Sequence, residues 1–209
     1  MTTQQICSTN ILARGLLLLL AICWAGHSAR AKDHFTIKCS SPDGRFALRF
    51  SNPTGPNSSS YKVDLIEKAS GEVVMDLVNA FEDHLDDTIL VWSADSRRVA
   101  FSTRGTKTGE TTVYFWNGSV FEEATLPDKL PSPHIDFGYG AGAVKNYGGA
   151  VKALRWLKSG ELEIARNLTM QSRVDDQYYT GIVVFTLGFD ARHRASIRKV
   201  GKTKTTVDD

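Results

Sequence analysis

The chain has little of what usually holds a small exported protein together or announces a chemistry. It carries three cysteines in 209 residues, and two of them, Cys7 and Cys23, fall near the start. Only Cys39 remains for the body of the chain, so no internal disulfide is available there. Phe35, Ile37 and Cys39 alternate with polar neighbours and read as one buried strand face holding an inert thiol. An excess of one charge is also missing. Lys and Arg total 25 against 23 Asp and Glu, a formal +2, which excludes the strongly basic composition of a nucleic-acid or membrane-surface binder. There is no CxxC or HExxH spacing for zinc and no G-x-S-x-G elbow, and His34, His84, His134 and His193 lack a recognisable triad motif nearby. No metal or cofactor is expected.

One long apolar run exists, and it is short for a membrane. Leu16 to Ala25 is uniformly apolar, follows Arg14 with no acid before it, and is followed by Ala29-Arg30-Ala31. A span needs about 20 such residues. This is the pattern of a signal peptide over 1–31, cut after Ala31, which makes the mature protein periplasmic or secreted. Leu20-Ala21-Ile22-Cys23 resembles a lipoprotein box, but the β-branched Ile22 fits poorly where a small residue belongs. Losing Arg14 and Arg30 leaves the mature chain with balanced charge and no segment for stable membrane insertion.

What is present is period two. Short runs rich in β-branched and aromatic residues alternate apolar and polar positions, and sustained helical spacing is absent. The reading is all-β, with strands near 35–39, 46–50, 61–66 and 72–77, then 88–92, 98–103, 111–116 and 119–124, then 151–157, 161–166, 179–188 and 194–200. That makes about three four-stranded antiparallel meanders in a single domain over 32–200, followed by a polar tail at 201–209. Asn117-Gly118 tolerates the positive φ of a type I′ turn and predicts a tight hairpin. Trp92, Trp116 and Trp156 are expected in the core.

Ser41-Pro42-Asp43-Gly44-Arg45-Phe46-Ala47-Leu48 is echoed by Ser93-Ala94-Asp95-Ser96-Arg97-Arg98-Val99-Ala100, and more faintly by Trp156-Leu157-Lys158-Ser159-Gly160-Glu161-Leu162. Periods of this size mean blades, solenoid turns or tandem sheets. The pattern resembles the TolB-type β-propeller repeat, a relative of WD repeats, in which the Asp-Gly pair turns the chain between two strands of a blade. The resemblance implies a propeller-like fold and carries no catalytic residue. Propellers close with four to eight blades, so three meanders imply an open stack, a β-sandwich, or a homo-oligomer that completes the ring.

The segment from Pro131 to Gly149 reads as a long connection between the second and third meanders, and connections of that length usually work or are disordered. His134, Asp136, Tyr139, Lys145 and Tyr147 supply stacking and hydrogen-bonding groups beside glycines that admit a ligand to the backbone. They are the candidate binding residues of an exported binding or scaffold module that recognises an envelope or secreted protein, with no nucleic-acid partner. A second reading makes His134 and Asp136 a general acid–base pair of a small-ligand or glycan-processing enzyme, provided the segment is extended. Glu82-Asp83-His84-Leu85-Asp86-Asp87 has hard ligands but matches no calcium-loop spacing and reads as a solvated turn. The basic end from Arg192 to Lys204 reads as an edge strand guarded by charge.

Overall fold

A computed structural model describes residues 35–52, 60–81, 89–104, 107–137 and 143–208. The signal-peptide segment, the Glu82 to Asp87 cluster and Tyr139 lie outside them. The described chain is nearly all β. Its first meander is β1 (Phe35–Lys38), β2 (Phe46–Ser51), β3 (Ser60–Glu67) and β4 (Val73–Phe81), an antiparallel sheet in sequence order. The second is β5 (Ile89–Trp92), β6 (Arg98–Arg104), β7 (Thr108–Trp116) and β8 (Phe121–Glu123). The third is β9 (Val144–Trp156), β10 (Leu162–Ser172), β11 (Tyr178–Phe189) and β12 (Ala195–Val200). A thirteenth strand, β13 (Lys204–Asp208), forms within the segment read as a polar tail and pairs with β11.

The second and third meanders are joined into one sheet. β7 and β9 pair in parallel at Thr108 with Gly149 and Gly109 with Ala150. Glycine permits this join. A Cβ on Gly109 would sit 2.7 Å from the Thr103 carbonyl oxygen and 2.8 Å from the Ala150 Cβ, and one on Gly149 would sit 2.6 Å from the Asn167 carbonyl oxygen. The sheet curls into a half-barrel. Thr125, just past β8, bridges to the start of β12: its N–H donates to the His193 carbonyl at 3.2 Å and its carbonyl accepts from Ala195 N–H at 2.8 Å.

Two cores follow from the alternation along β6, a strand buried on both faces. Val99 and Phe101 join Phe46, Leu48, Val63, Leu65 and Phe121, where the first sheet packs on the second. Ala100 instead joins Val113, Trp156, Leu162, Ile164, Phe185 and Leu187 inside the half-barrel. Burying large apolar side chains such as Phe46 and Phe185 stabilises the fold by about 1.5–3 kcal/mol each. Trp156 is in the second core, while Trp92 and Trp116 pack against the first.

The repeated turns are built alike. Ser41 Oγ donates to Asp43 Oδ1 at 2.6 Å, and that oxygen accepts from Arg45 N–H at 3.0 Å; Ser93, Asp95 and Arg97 make the same bonds at 2.5 and 3.0 Å. Burial alone would raise the two aspartates, but these bonds outweigh it and hold both carboxyls below their usual range. Gly44 (φ 75°) and Ser96 (φ 58°) take the left-handed position. The indoles repeat as well, each reaching one meander back: Trp92 Nε1 donates to the Cys39 carbonyl at 3.1 Å and Trp156 Nε1 to the Val91 carbonyl at 3.0 Å.

Two local expectations are corrected. The hairpin at Asn117-Gly118 exists, but Trp116 pairs with Phe121 and the connection is four residues long. Asn117 folds it by accepting, through Oδ1, the N–H groups of Ser119 (2.9 Å) and Val120 (3.0 Å), so only Gly118 takes positive φ. On β1, Phe35 and Ile37 are 53% and 44% exposed and Cys39 is half-buried. β1 is an edge strand, and its other face, carrying Thr36 and Lys38, is the one in register with core residues Phe50 and Leu48.

Candidate binding surface

The expected 131–149 connection divides into a packed strap and a strand. From 131 to 137 the chain is extended and alternates faces, with Pro133 and Ile135 buried and His134 and Asp136 exposed. The strap crosses the half-barrel's inner face. Leu126 and Leu130 pack against the inner core, and Arg166 Nη1 donates to the Leu130 carbonyl at 2.9 Å. Gly181 makes room for it, since a Cβ there would stand 2.6 Å from Ile135 Cγ1 and 2.9 Å from Pro133 Cβ. His134 N–H donates to Thr203 Oγ1 at 3.1 Å, tying the strap to the β12–β13 turn.

Lys145 and Tyr147 belong to β9, which begins at Val144 and not near 151. Gly148 and Gly149 therefore admit another strand, not a ligand: Gly149 N–H donates to the Lys107 carbonyl at 2.9 Å, and a Cβ on Gly148 would clash with that same oxygen. Asn146 pairs with Met170 and Gly148 with Thr169, so Tyr147 is the extra residue of a β-bulge. Bulges re-aim a side chain. Here the Tyr147 ring, on a residue 48% exposed, meets Tyr178 edge to face at 4.9 Å.

Successive residues of a strand face opposite ways, and this splits the predicted residues into two sets. Val183, Phe185 and Leu187 point into the inner core, so Tyr179 and Gly181 share the inner face while Tyr178, Thr180 and Ile182 share the outer one. Phe137 of the strap packs edge to face on Tyr179 at 5.3 Å. The strap, with His134 and Asp136, thus belongs to the inner side. Lys145 is in register with Gln171, and Gln171 with Tyr178, which places Lys145 and Tyr147 with the outer set.

The outer set is a small platform: Tyr147 on Tyr178, Lys145 beside Gln171, and Gln171 Nε2 donating to Asp176 Oδ1 at 2.8 Å. Burial first, then the neighbouring Tyr147 and Asp176, push the Tyr178 hydroxyl above its usual pKa, so it is a neutral donor at physiological pH. Sequence reading passed over Tyr178 and Gln171; the aromatic pair Tyr178-Tyr179 just after Asp175-Asp176 was the available signal. His134 and Asp136 do share a face, as an acid–base pair requires. Their face is the exposed side of an extended strap, whereas such a pair acts on a substrate held in a recess.

No family model, no curated protein and no solved structure matches this chain.

Proposed function

We propose that this protein is an exported binding module that recognises another protein of the bacterial envelope through the outer sheet face around Tyr147, Tyr178 and Lys145. The observation that carries the reading is the β-bulge at Tyr147, which turns a large aromatic ring out of a strand and seats it on a second tyrosine. Tyrosine is among the side chains that dominate protein recognition, because it offers large rigid contact area and a polar tip at low entropic cost, and Lys145 and Gln171 beside the pair add polar groups that can fix a partner's orientation. Export rests on the Leu16–Ala25 run and the Ala29-Arg30-Ala31 site. The TolB-type reading rests on the paired Asp turns and on the indoles that each link one meander to the one before.

The test is site-specific photocrosslinking in the native host. A photoreactive residue in place of Tyr147 is expected to trap one envelope protein, and the same probe at Glu122 is expected not to. Trapping of the same set of proteins from both positions, or capture unchanged in a Tyr147→Ala/Tyr178→Ala variant, overturns the surface.

A further inference from the structure

Several cations of the described chain sit in ion pairs: Arg45 meets Glu67, Arg49 and Lys62 meet Asp64, Arg98 meets Asp95, Arg155 meets Glu163, and Arg194 meets Asp190. The C-terminal hairpin gathers four cations outside such pairs within seven residues. Arg198, Lys199, Lys202 and Lys204 are all exposed, and none has an ion-pair partner among the described residues. The overall balance of charge conceals this local concentration.

Register puts three of the four on one face. Along β11 the outer row is Ile182, Val184, Thr186 and Gly188. Lys204 is in register with Ile182 and Lys199 with Thr186. Arg198, the extra residue of a second bulge, lies flat over Gly188, where its Nε stands 2.4 Å from the position of a Cβ. Lys202 follows in the turn at 201–203. The row spans roughly 20 Å at about 3.4 Å per residue. The acid in register with Thr186 is Glu163, and it is engaged by Arg155 at 2.8 Å. An exposed aliphatic residue sits in the same outer row: Ile182, in register with Lys204, is 38% exposed.

We infer that this face, from Lys204 across Ile182 to Lys199 and Arg198, docks on the surface of a bilayer containing anionic phospholipid. Basic residues near such a surface are drawn to it, and aliphatic groups beside them enter the headgroup boundary. A phosphate chain such as a nucleic acid satisfies the cations but has no use for the exposed Ile182 beside them, so the mixed character favours lipid. The attachment is peripheral and reversible, because the apolar area is small. It does not depend on the protein-recognition surface, which lies farther along the sheet at Tyr178.

The test is co-sedimentation of the full mature chain with vesicles of phosphatidylcholine and phosphatidylglycerol in equal parts, against vesicles of phosphatidylcholine alone. Binding to the mixed vesicles only, weakening as salt rises, is expected. Lys199→Glu/Lys204→Glu is expected to reduce the vesicle-bound fraction about tenfold or more, with Lys202→Glu, in a turn, as the variant least able to disturb the fold. Ile182→Ser is expected to weaken vesicle binding while leaving retention on immobilised polyphosphate unchanged. Equal binding to both vesicle types, no response to charge reversal, or polyphosphate retention without vesicle binding overturns the inference.

Discussion

The backbone N–H of Asp43 donates to the hydroxyl of Ser96 at 3.0 Å. Each residue belongs to the Asp-centred turn of its own meander, so the first turn is docked on the second by a bond between equivalent loops. The second is docked on the third in a related way, through Arg98 Nη1 donating to the Gly160 carbonyl at 3.0 Å. The first link joins two sheets that strand pairing leaves separate, and the second adds to the join of β7 and β9.

Asp95→Ala removes the acceptor for Ser93 Oγ and Arg97 N–H and loosens the loop that receives Asp43. It is expected to cost about 1 kcal/mol or somewhat more in urea denaturation. Asp128→Ala, at a position outside these turns, is expected to be nearly neutral.

Asp190 holds the turn before β12 by accepting from the backbone N–H and side chain of Arg194 and from Arg192 N–H, which lower its pKa from 3.8 to about 2. A depressed carboxyl stabilises the folded state above its unfolded pKa and loses that contribution as pH falls through the folded value. Stability is therefore expected to drop between about pH 4 and pH 2. Asp190→Asn should show a shallower drop over that window, measured as the urea midpoint against pH.

Where β7 and β9 diverge after their short parallel join, two hydroxyls span the gap. Ala153 N–H donates to Ser102 Oγ (3.0 Å), Ser102 and Thr111 are 2.8 Å apart, and Thr111 Oγ1 donates to the Val151 carbonyl (2.8 Å). Because the Thr111 proton goes to Val151, Ser102 is the donor between the two. Ser102→Ala leaves the Ala153 amide without its acceptor and is expected to cost about 1–3 kcal/mol. Faster hydrogen exchange at Ala153 is the local readout.

Gly109→Ala forces a Cβ against the Thr103 carbonyl and the Ala150 side chain without any backbone strain of its own. It is expected to cost about 1–3 kcal/mol as an overpacked contact. The loss should appear as a lower Tm, whereas Gly118→Ala, with open space for a Cβ but a φ of 116°, should lose stability through backbone strain alone.

Asp64 is fully buried on the outer side of β3, with Arg49 Nη2 at 2.8 Å and Lys62 Nζ at 3.0 Å. Asp64→Leu alone strands the Arg49 guanidinium and is expected to destabilise by about 3–5 kcal/mol. Adding Arg49→Met should recover most of that loss, a coupling measurable by a double-mutant cycle.

The strands were legible because alternation is local. Phe46-Ala47-Leu48 and Thr111 to Trp116 reveal a half-buried strand whatever they pair with. The join of Gly109 to Ala150 was not legible, since pairing between distant strands leaves no mark on either sequence beyond the small residues that allow it. Those residues misled: Gly148 and Gly149 have low strand propensity and read as a ligand loop. β13 was missed because Lys204-Thr205-Thr206-Val207 holds one apolar residue and forms an exposed edge. At the candidate surface, Lys145 and Tyr147 were found together, while the sorting of His134 and Asp136 to the opposite side depends on which way Tyr178 and Tyr179 face.

The bridge at Thr125 also dictates an order of events. Its partners, His193 and Ala195, lie 68 and 70 residues farther along the chain, so the curl of the sheet is not fixed until β9 to β11 and the start of β12 have been made. Until then the apolar faces of β9 and β10 have no lid over them. A contact of such long sequence separation should make the chain fold slowly for its size.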